Sequence, residues 1–295
     1  MNVVFIIVWN SFGKMAAKPT LYSFYTSFFS QKTLMHLYER GVEFDKHIVN
    51  LVGDETQSSW FLKINPRGEV PSLKFGEEII NDSENICQYL ETNKIGKSLF
   101  PTDPGNLSKH NAFRERLVAV PIELITYGTA FHPHIRNNPK MPIKWPLTKL
   151  MKDKMLHRSE NLRKKAAENS GTPAEAVLLA KADEHDKRLH LYTNEDEHKQ
   201  MLRNLQTLLD DIEKELASHK DNQWLINDEF TSADCILAII LNRLDFLGHE
   251  DKMASNARPC LASWWGRAKS RESFIEATKA PYLPLFILKS KLGLI

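Results

Sequence analysis

The sequence predicts an α/β N-terminal domain followed by an all-α C-terminal domain, and three observations carry that prediction. Over residues 20–97, short apolar runs alternate with helical patterns in the order β-α-β-α-β-β-α. Over residues 65–91 a loop, a strand, a turn, a second strand and a helix N-terminus follow one another without a gap. From about residue 105 to 280 the segments read as helices, with a charged insertion at about 151–200.

Residues 3–9 are apolar, but seven residues cannot span a bilayer, which needs about 20. No basic residue precedes them, so they make a poor signal peptide, and residues 1–18 read either as an extension or as an artefact of start-site choice, with Met15 the other start. Residues 21–24 read as the first strand, and Ser30-Gln31-Lys32 as the opening of a helix that Gly41 ends. Residues 44–49 read as a second strand and Trp60-Phe61-Leu62 as a short helix. Asn65-Pro66-Arg67-Gly68 is a loop, because Pro blocks a helix and Gly permits positive φ. Residues 72–75 and Ile79-Ile80 make two further strands, and Asn81-Asp82-Ser83 stands at a helix N-terminus continued by Ile86, Tyr89 and Leu90.

Leu99-Phe100-Pro101 reads as the interdomain link, in a segment rich in Pro, Gly and Asn up to Ser108. Residues 112–129 then read as one helix that Pro121 kinks. Residues 151–200 hold ten Lys/Arg and ten Asp/Glu with few apolar residues, which predicts exposed helices or a partly mobile loop, packed less tightly than a helix at 235–247. One of these spans about 151–168. Another starts at Thr172-Pro173-Ala174-Glu175, a capping box with Pro at the first helical position. Turn residues at Asn169-Ser170-Gly171 and Tyr192-Thr193-Asn194 are the expected first points of proteolysis. Leu202, Leu205, Leu209, Ile212 and Leu216 form a core stripe, and Thr231 and Asp234 cap an apolar helix at about 235–247. A last helix carries Trp264-Trp265 and Arg267.

Composition narrows the function. A formal net charge of +2 argues for no nucleic-acid partner. Cys87, Cys235 and Cys260 lie far apart with no Cys-x-x-Cys, which fits a reducing compartment and neither a zinc site nor a disulfide framework. His132-Pro133-His134 lacks further ligands and is read as surface or cleft histidine, so no metal is assigned.

Val70-Pro71-x-Leu73 followed by Asp82-Ser83-x-x-Ile86-x-x-Tyr89-Leu90-Glu91 resembles the thioredoxin-like half of glutathione transferases. The resemblance implies a cis Pro71, a Val70 backbone that pairs with the cysteinyl peptide of glutathione, and an Asp82-Ser83 pair that holds its γ-glutamyl end. The physics agrees, because a helix N-terminus suits a carboxylate and an acidic side chain suits an α-amine. The plainer reading of Asp82 or Ser83 is a helix cap. Residues 21–30 also resemble the zeta-like pattern L-Y-S-Y-x-x-S-x-x-S. That implies Ser27 as the hydroxyl that donates to the glutathione thiolate, with Ser30 the competitor by a theta-like alignment; either could instead be a cap. Phe29 stands where zeta-like isomerases carry Cys, and residues 21–31 contain no Cys, so a cysteine mechanism is not expected.

Over residues 20–280 the chain is identified as similar to the ganglioside-induced differentiation-associated protein family, on Trp60-Phe61, Ile64-Asn65, Gly68-Glu69, the insertion, and Arg243-Leu244-x-Phe246-Leu247-Gly248. That family is associated with the mitochondrial outer membrane, through a C-terminal tail, and with mitochondrial fission. Residues 281–295 are too short and too charged to span, so no tail anchor is expected. Two readings stay open. One is a glutathione transferase attacking small electrophiles, with glutathione as co-substrate and no metal. The other is a non-catalytic module that binds a protein partner through residues 151–200. The expected location is cytoplasmic, with the cytosolic face of the mitochondrial outer membrane as the alternative. The resemblance leaves room for peripheral membrane association and for a homodimer.

Overall fold

The computed structural model describes residues 18–136, 147–219, 223–249 and 257–281. The apolar run at 3–9 and nearly all of the stretch from 281 to the end lie outside the described residues.

Strand β1 (Thr20–Ser23) buries Leu21 and Ser23 on one face, as a period of two requires. It pairs in parallel with β2 (Asp45–Ile48) and antiparallel with β3 (Ser72–Phe75). Strand β4 (Glu78–Asn81) closes a four-stranded sheet in the order β2-β1-β3-β4. The Val70–Pro71 peptide is cis. Helix α1 (Phe28–Glu39) opens before Ser30, because Ser27 is extended and its Oγ accepts the Ser30 N–H at 3.3 Å. The domain is completed by the one-turn α2 (Ser59–Leu62) and by α3 (Ser83–Thr92), whose cap is Asp82.

The second domain is helical. Leu99-Phe100-Pro101 lies outside any helix after α3, and the Pro- and Gly-containing stretch beyond it opens α4 (Pro104–Val118): Asp103 caps it by accepting the Asn106 N–H, and Pro104 occupies the first turn, where its missing N–H costs nothing. Pro121 separates α4 from α5 (Ile122–Phe131) rather than kinking one helix. The insertion holds α6 (Leu147–Leu156), α7 (Arg158–Glu168) and α8 (Pro173–Thr193). Residues 151–168 are thus two helices that meet at His157. Thr172 does not form the expected capping box. Its Oγ1 donates to Asn169 O, and Glu175 instead accepts the Gly171 N–H at 2.7 Å. Beyond lie α9 (Glu195–Ser218), α10 (Ser232–Leu247), α11 (Pro259–Lys269) and α12 (Glu272–Thr278).

The two domains share one core. Leu21, Leu73, Ile86 and Leu90 from the sheet side are continuous with Ile236, Ile240 and Trp264 from the helical side. Helix α1 lies between them, against α3, α10 and α12. Lys32 and His36 of this helix are buried with partners. Glu84 accepts Lys32 Nζ at 2.5 Å and also an Arg114 N–H, and Arg114 Nε donates to Ser232 Oγ at 3.1 Å. His36 sets Nδ1 2.8 Å from Lys32 O and Nε2 2.9 Å from Ser232 Oγ. A carbonyl only accepts, so Nδ1 carries the proton and Nε2 accepts from the serine hydroxyl. Burial pulls the pKa of His36 down to about 4, so the ring is neutral at pH 7.

Asp234, fully buried, orders the helical domain. Its carboxylate accepts Thr231 N at 2.9 Å, Thr231 Oγ1 at 2.6 Å, Leu225 N at 2.9 Å and Trp264 Nε1 at 3.0 Å. Removing the acceptor leaves buried donors without partners, each worth about 1–3 kcal/mol. Asp234→Ala is therefore expected to cost about 3 kcal/mol or more, read as a lower urea midpoint at an unchanged slope.

Candidate functional site

A cavity of about 620 Å³ lies between the domains. Its N-terminal wall comes from the loop after β1, the loop at 67–71 and the start of α3. Its C-terminal wall comes from α5, α10 and the insertion. Of the residues singled out in the sequence, Ser27, Val70, Pro71, Asp82 and Ser83 all line it, and Ser30 does not. Ser30 is fully buried, and its Oγ accepts the Phe24 N–H at 3.2 Å. The helix cap assigned to either serine belongs to Ser27. As an acceptor Ser27 uses one lone pair, so its hydroxyl proton stays free to be donated.

The grip residues each leave a group open. The Val70 N–H and C=O make no hydrogen bond among the described residues, so an extended peptide could pair with them there. Ser83 Oγ is buried without a partner at the first position of α3, where helix N–H groups favour an anion. An orphaned buried hydroxyl in that place fits the γ-glutamyl carboxylate of glutathione. Asp82 uses Oδ1 to accept the Glu84 and Asn85 N–H groups at 2.8 and 3.2 Å and has no ion pair among the described residues. Its φ of 76° holds a non-glycine residue in the left-handed region at the cavity edge. Gly68 has φ 59°, and a Cβ there would meet Thr56 O at 2.7 Å, so the loop before Val70 needs glycine on both counts.

The insertion departs from expectation in part. Its helices bury less than α10, as the sequence predicts, but they are docked rather than loose, for α8 buries Ala174, Leu178, Lys181, Ala182, His185 and Tyr192. Leu178, Ala174 and Ala182 join Leu162 and Ala166 of α7 around Leu62 of the first domain. Two lysines tie the insertion to the loops at the cavity mouth. Lys181 Nζ donates to Arg67 O at 2.5 Å and to Glu69 at 2.9 Å. Lys154 Nζ donates to Leu51 O at 2.8 Å and to Asp54 at 2.6 Å. Burial pushes the Glu69 carboxyl up, but Lys181 and Arg67 outweigh it and hold the group below the usual carboxylate range. At the second expected cleavage point Tyr192 is buried and donates to Glu123 at 3.2 Å, while Thr193 and Asn194 are exposed at the junction of α8 and α9.

Sequence reasoning missed Lys154, Lys181 and Arg243. A signal existed for Lys181, which sits on the same helical stripe as Ala174, Leu178 and Ala182. Away from the cavity, His134 Nε2 lies 3.2 Å from Glu195, and no group of three or more His, Cys, Asp or Glu suited to a metal exists among the described residues. Cys87 and Cys235 are buried away from the cavity lining, and burial drives the Cys87 thiol up to about 12.

Fold and cavity define a two-domain protein with a thioredoxin-like half and a helical half, and the comparisons name the class. Residues 21–98 match the family model for the glutathione S-transferase N-terminal domain, and residues 195–267 match that for the C-terminal domain. The chain belongs to the glutathione S-transferase superfamily. It is 30% identical over 272 residues to human Ganglioside-induced differentiation-associated protein 1-like 1, covering 86% of this chain and 72% of that protein. It is 45% identical to Protein LigF of Sphingobium over 86 residues, 28% of this chain and 34% of LigF. The crystal structure of beta-etherase LigF superposes with a TM-score of 0.62 at 23% identity, over 88% of this chain and 98% of that one, which shows the shared fold. The insertion falls between the two family matches.

Because Glu69 carries its charge below the usual range, its tie to Lys181 is at full strength above the unfolded carboxylate pKa and is lost as pH falls through the lowered folded value. Lys181→Met should therefore raise the rate of proteolysis at residues 169–171 several-fold at neutral pH. The same rise should appear in the unmodified chain on acidification, with α10 still protected.

Proposed function

We propose that this chain binds glutathione in the interdomain cavity and activates its thiol for attack on small electrophiles. The observation that carries the reading is Ser83 Oγ, buried and without a partner at the N-terminus of α3, in one cavity with Ser27 and the open backbone of Val70. Glutathione's free thiol has a pKa of about 8.5, and a hydroxyl that donates to the thiolate favours the charged form. In this reading Ser83 and the α3 N-terminus take the γ-glutamyl carboxylate, Asp82 takes the α-amine, Val70 pairs with the cysteinyl peptide, and Ser27 donates to the sulfur. Ser30 holds the β1–α1 connection. The inner face of the insertion is occupied within the chain, which favours a wall of the cavity over a partner surface.

Location and assembly belong to the same proposal: a cytoplasmic protein, with peripheral association at the cytosolic face of the mitochondrial outer membrane as the alternative, a link to mitochondrial network shape, and a homodimer. Among the described residues no helix is long and apolar enough to cross a membrane.

The two serines separate the roles. Ser83→Ala removes a hydrogen bond to a charged group, worth roughly 1.5–3 kcal/mol, so glutathione affinity by calorimetry should fall about ten- to a hundred-fold. Ser27→Ala should leave that affinity nearly unchanged while turnover near neutral pH drops and the pH–rate profile moves up toward the free thiol. A wild-type chain that shows no glutathione binding at millimolar concentration would remove the reading.

A further inference from the structure

We infer that the electrophile taken by this cavity carries a carboxylate beside an apolar body, and that Arg243 is the side chain that holds the carboxylate; the inference rests on the glutathione reading above. Five other cations line the cavity, and each has an acidic partner. Arg67 and Lys181 meet Glu69, Lys154 meets Asp54, and Arg158 and Arg188 meet Glu123. Arg243 has no acidic partner among the described residues. It is 7% exposed; one Nη2 N–H donates to Thr26 O at 2.6 Å, and the guanidinium lies 5.6 Å from the Phe246 ring. Its other N–H groups have no protein acceptor among the described residues, and the side chain lines the cavity.

A buried charge without a counter-ion destabilises its surroundings, and an anion entering the cavity relieves that. Burial lowers the pKa of Arg243 to about 10, which leaves it charged at neutral pH and shows how little opposes the desolvation. The fork geometry of a guanidinium suits a carboxylate. Position suits it too. Arg243 touches Thr26, which adjoins Ser27, so an anion held there lies next to the place where the thiol is activated. The apolar body has its own wall in Phe246, Met151 and Met155. Asp82 is the complementary case, a cavity carboxylate without an ion pair among the described residues, and it faces the amine of the first substrate.

The test uses the full chain with 4-chloro-3-nitrobenzoate and its methyl ester. In the reaction the glutathione sulfur bonds to the chlorinated ring carbon, the C–Cl bond breaks, chloride leaves and the thiol proton goes to solvent. Binding of each probe is measured first without glutathione, so no reaction occurs, and turnover is then measured relative to the uncatalysed rate. The acid should bind about tenfold or more tightly than the ester. Arg243→Gln, which can still donate to Thr26 O, should bring the two within about twofold and leave glutathione affinity unchanged. Arg243→Lys should keep most of the preference. Equal binding of acid and ester by the wild-type chain would overturn the inference, as would a preference that survives in Arg243→Gln. A loss of glutathione affinity in Arg243→Gln equal to the loss for the acid would also overturn it, placing Arg243 in the glutathione grip. If Arg243→Gln does not fold, the wild-type comparison and Arg243→Lys decide alone. Absence of glutathione binding by the wild-type chain would sink the function proposed above, while the acid–ester comparison still judges Arg243.

Discussion

The arrangement of the cavity depends on one partly buried contact set, the convergence of Lys32 and Arg114 on Glu84. Lys32 belongs to α1, Glu84 to α3 and Arg114 to α4, so the carboxylate joins three helices from two domains. Ser27 caps the helix that holds Lys32, and Ser83 directly precedes Glu84. The two hydroxyls on which the proposed chemistry turns are therefore fixed by the same carboxylate. A partly buried charge set gives little net stability, but removal of one member would leave the buried Lys32 or its partners uncompensated, so the set defines geometry more than it adds free energy. Ser232 extends it into α10 by accepting from Arg114 and donating to His36.

The insertion completes the site from the other side. Its apolar contacts with Leu62 are few, and Lys154 and Lys181 supply direction by reaching backbone carbonyls of loops that border Val70 and the cavity mouth. A lysine bound to a carbonyl and a carboxylate together is specific to the loop conformation as well as to its charge. The insertion thus fixes the shape of the cavity where the two family matches leave a gap.

What could be read in the sequence was what local chemistry decides. Pro66 and Pro71 restrict their own backbone, Gly68 permits the positive φ the loop needs and Asp82 is a ready helix cap, so the loop–strand–turn–strand–helix run over residues 65–91 was legible, and so was the Thr231–Asp234 cap. The start of α4 was hidden because Pro104 and Gly105 read as a linker until Asp103 is seen to cap them. The docking of α8 was hidden because Lys181 and His185 occupy its buried face and are satisfied by Arg67 and Met155, residues far away in sequence. Arg243 was visible only as part of a motif. Its lack of a counter-ion is a property of the assembled cavity.

The neutrality of His36 has a consequence for how this protein would behave as an instrument. It sits in the seam between the domains with a pKa near 4, and burial also lowers His185, the one histidine among the described residues that lines the cavity. A base whose folded value is lowered becomes a liability only in acid, where protonation works against the folded form. Near neutrality the seam therefore holds constant charge at His36, and burial biases His185 in the same direction. His36 is silent over the range in which a thiol near it would titrate, so a signal seen there has another source than the seam histidine.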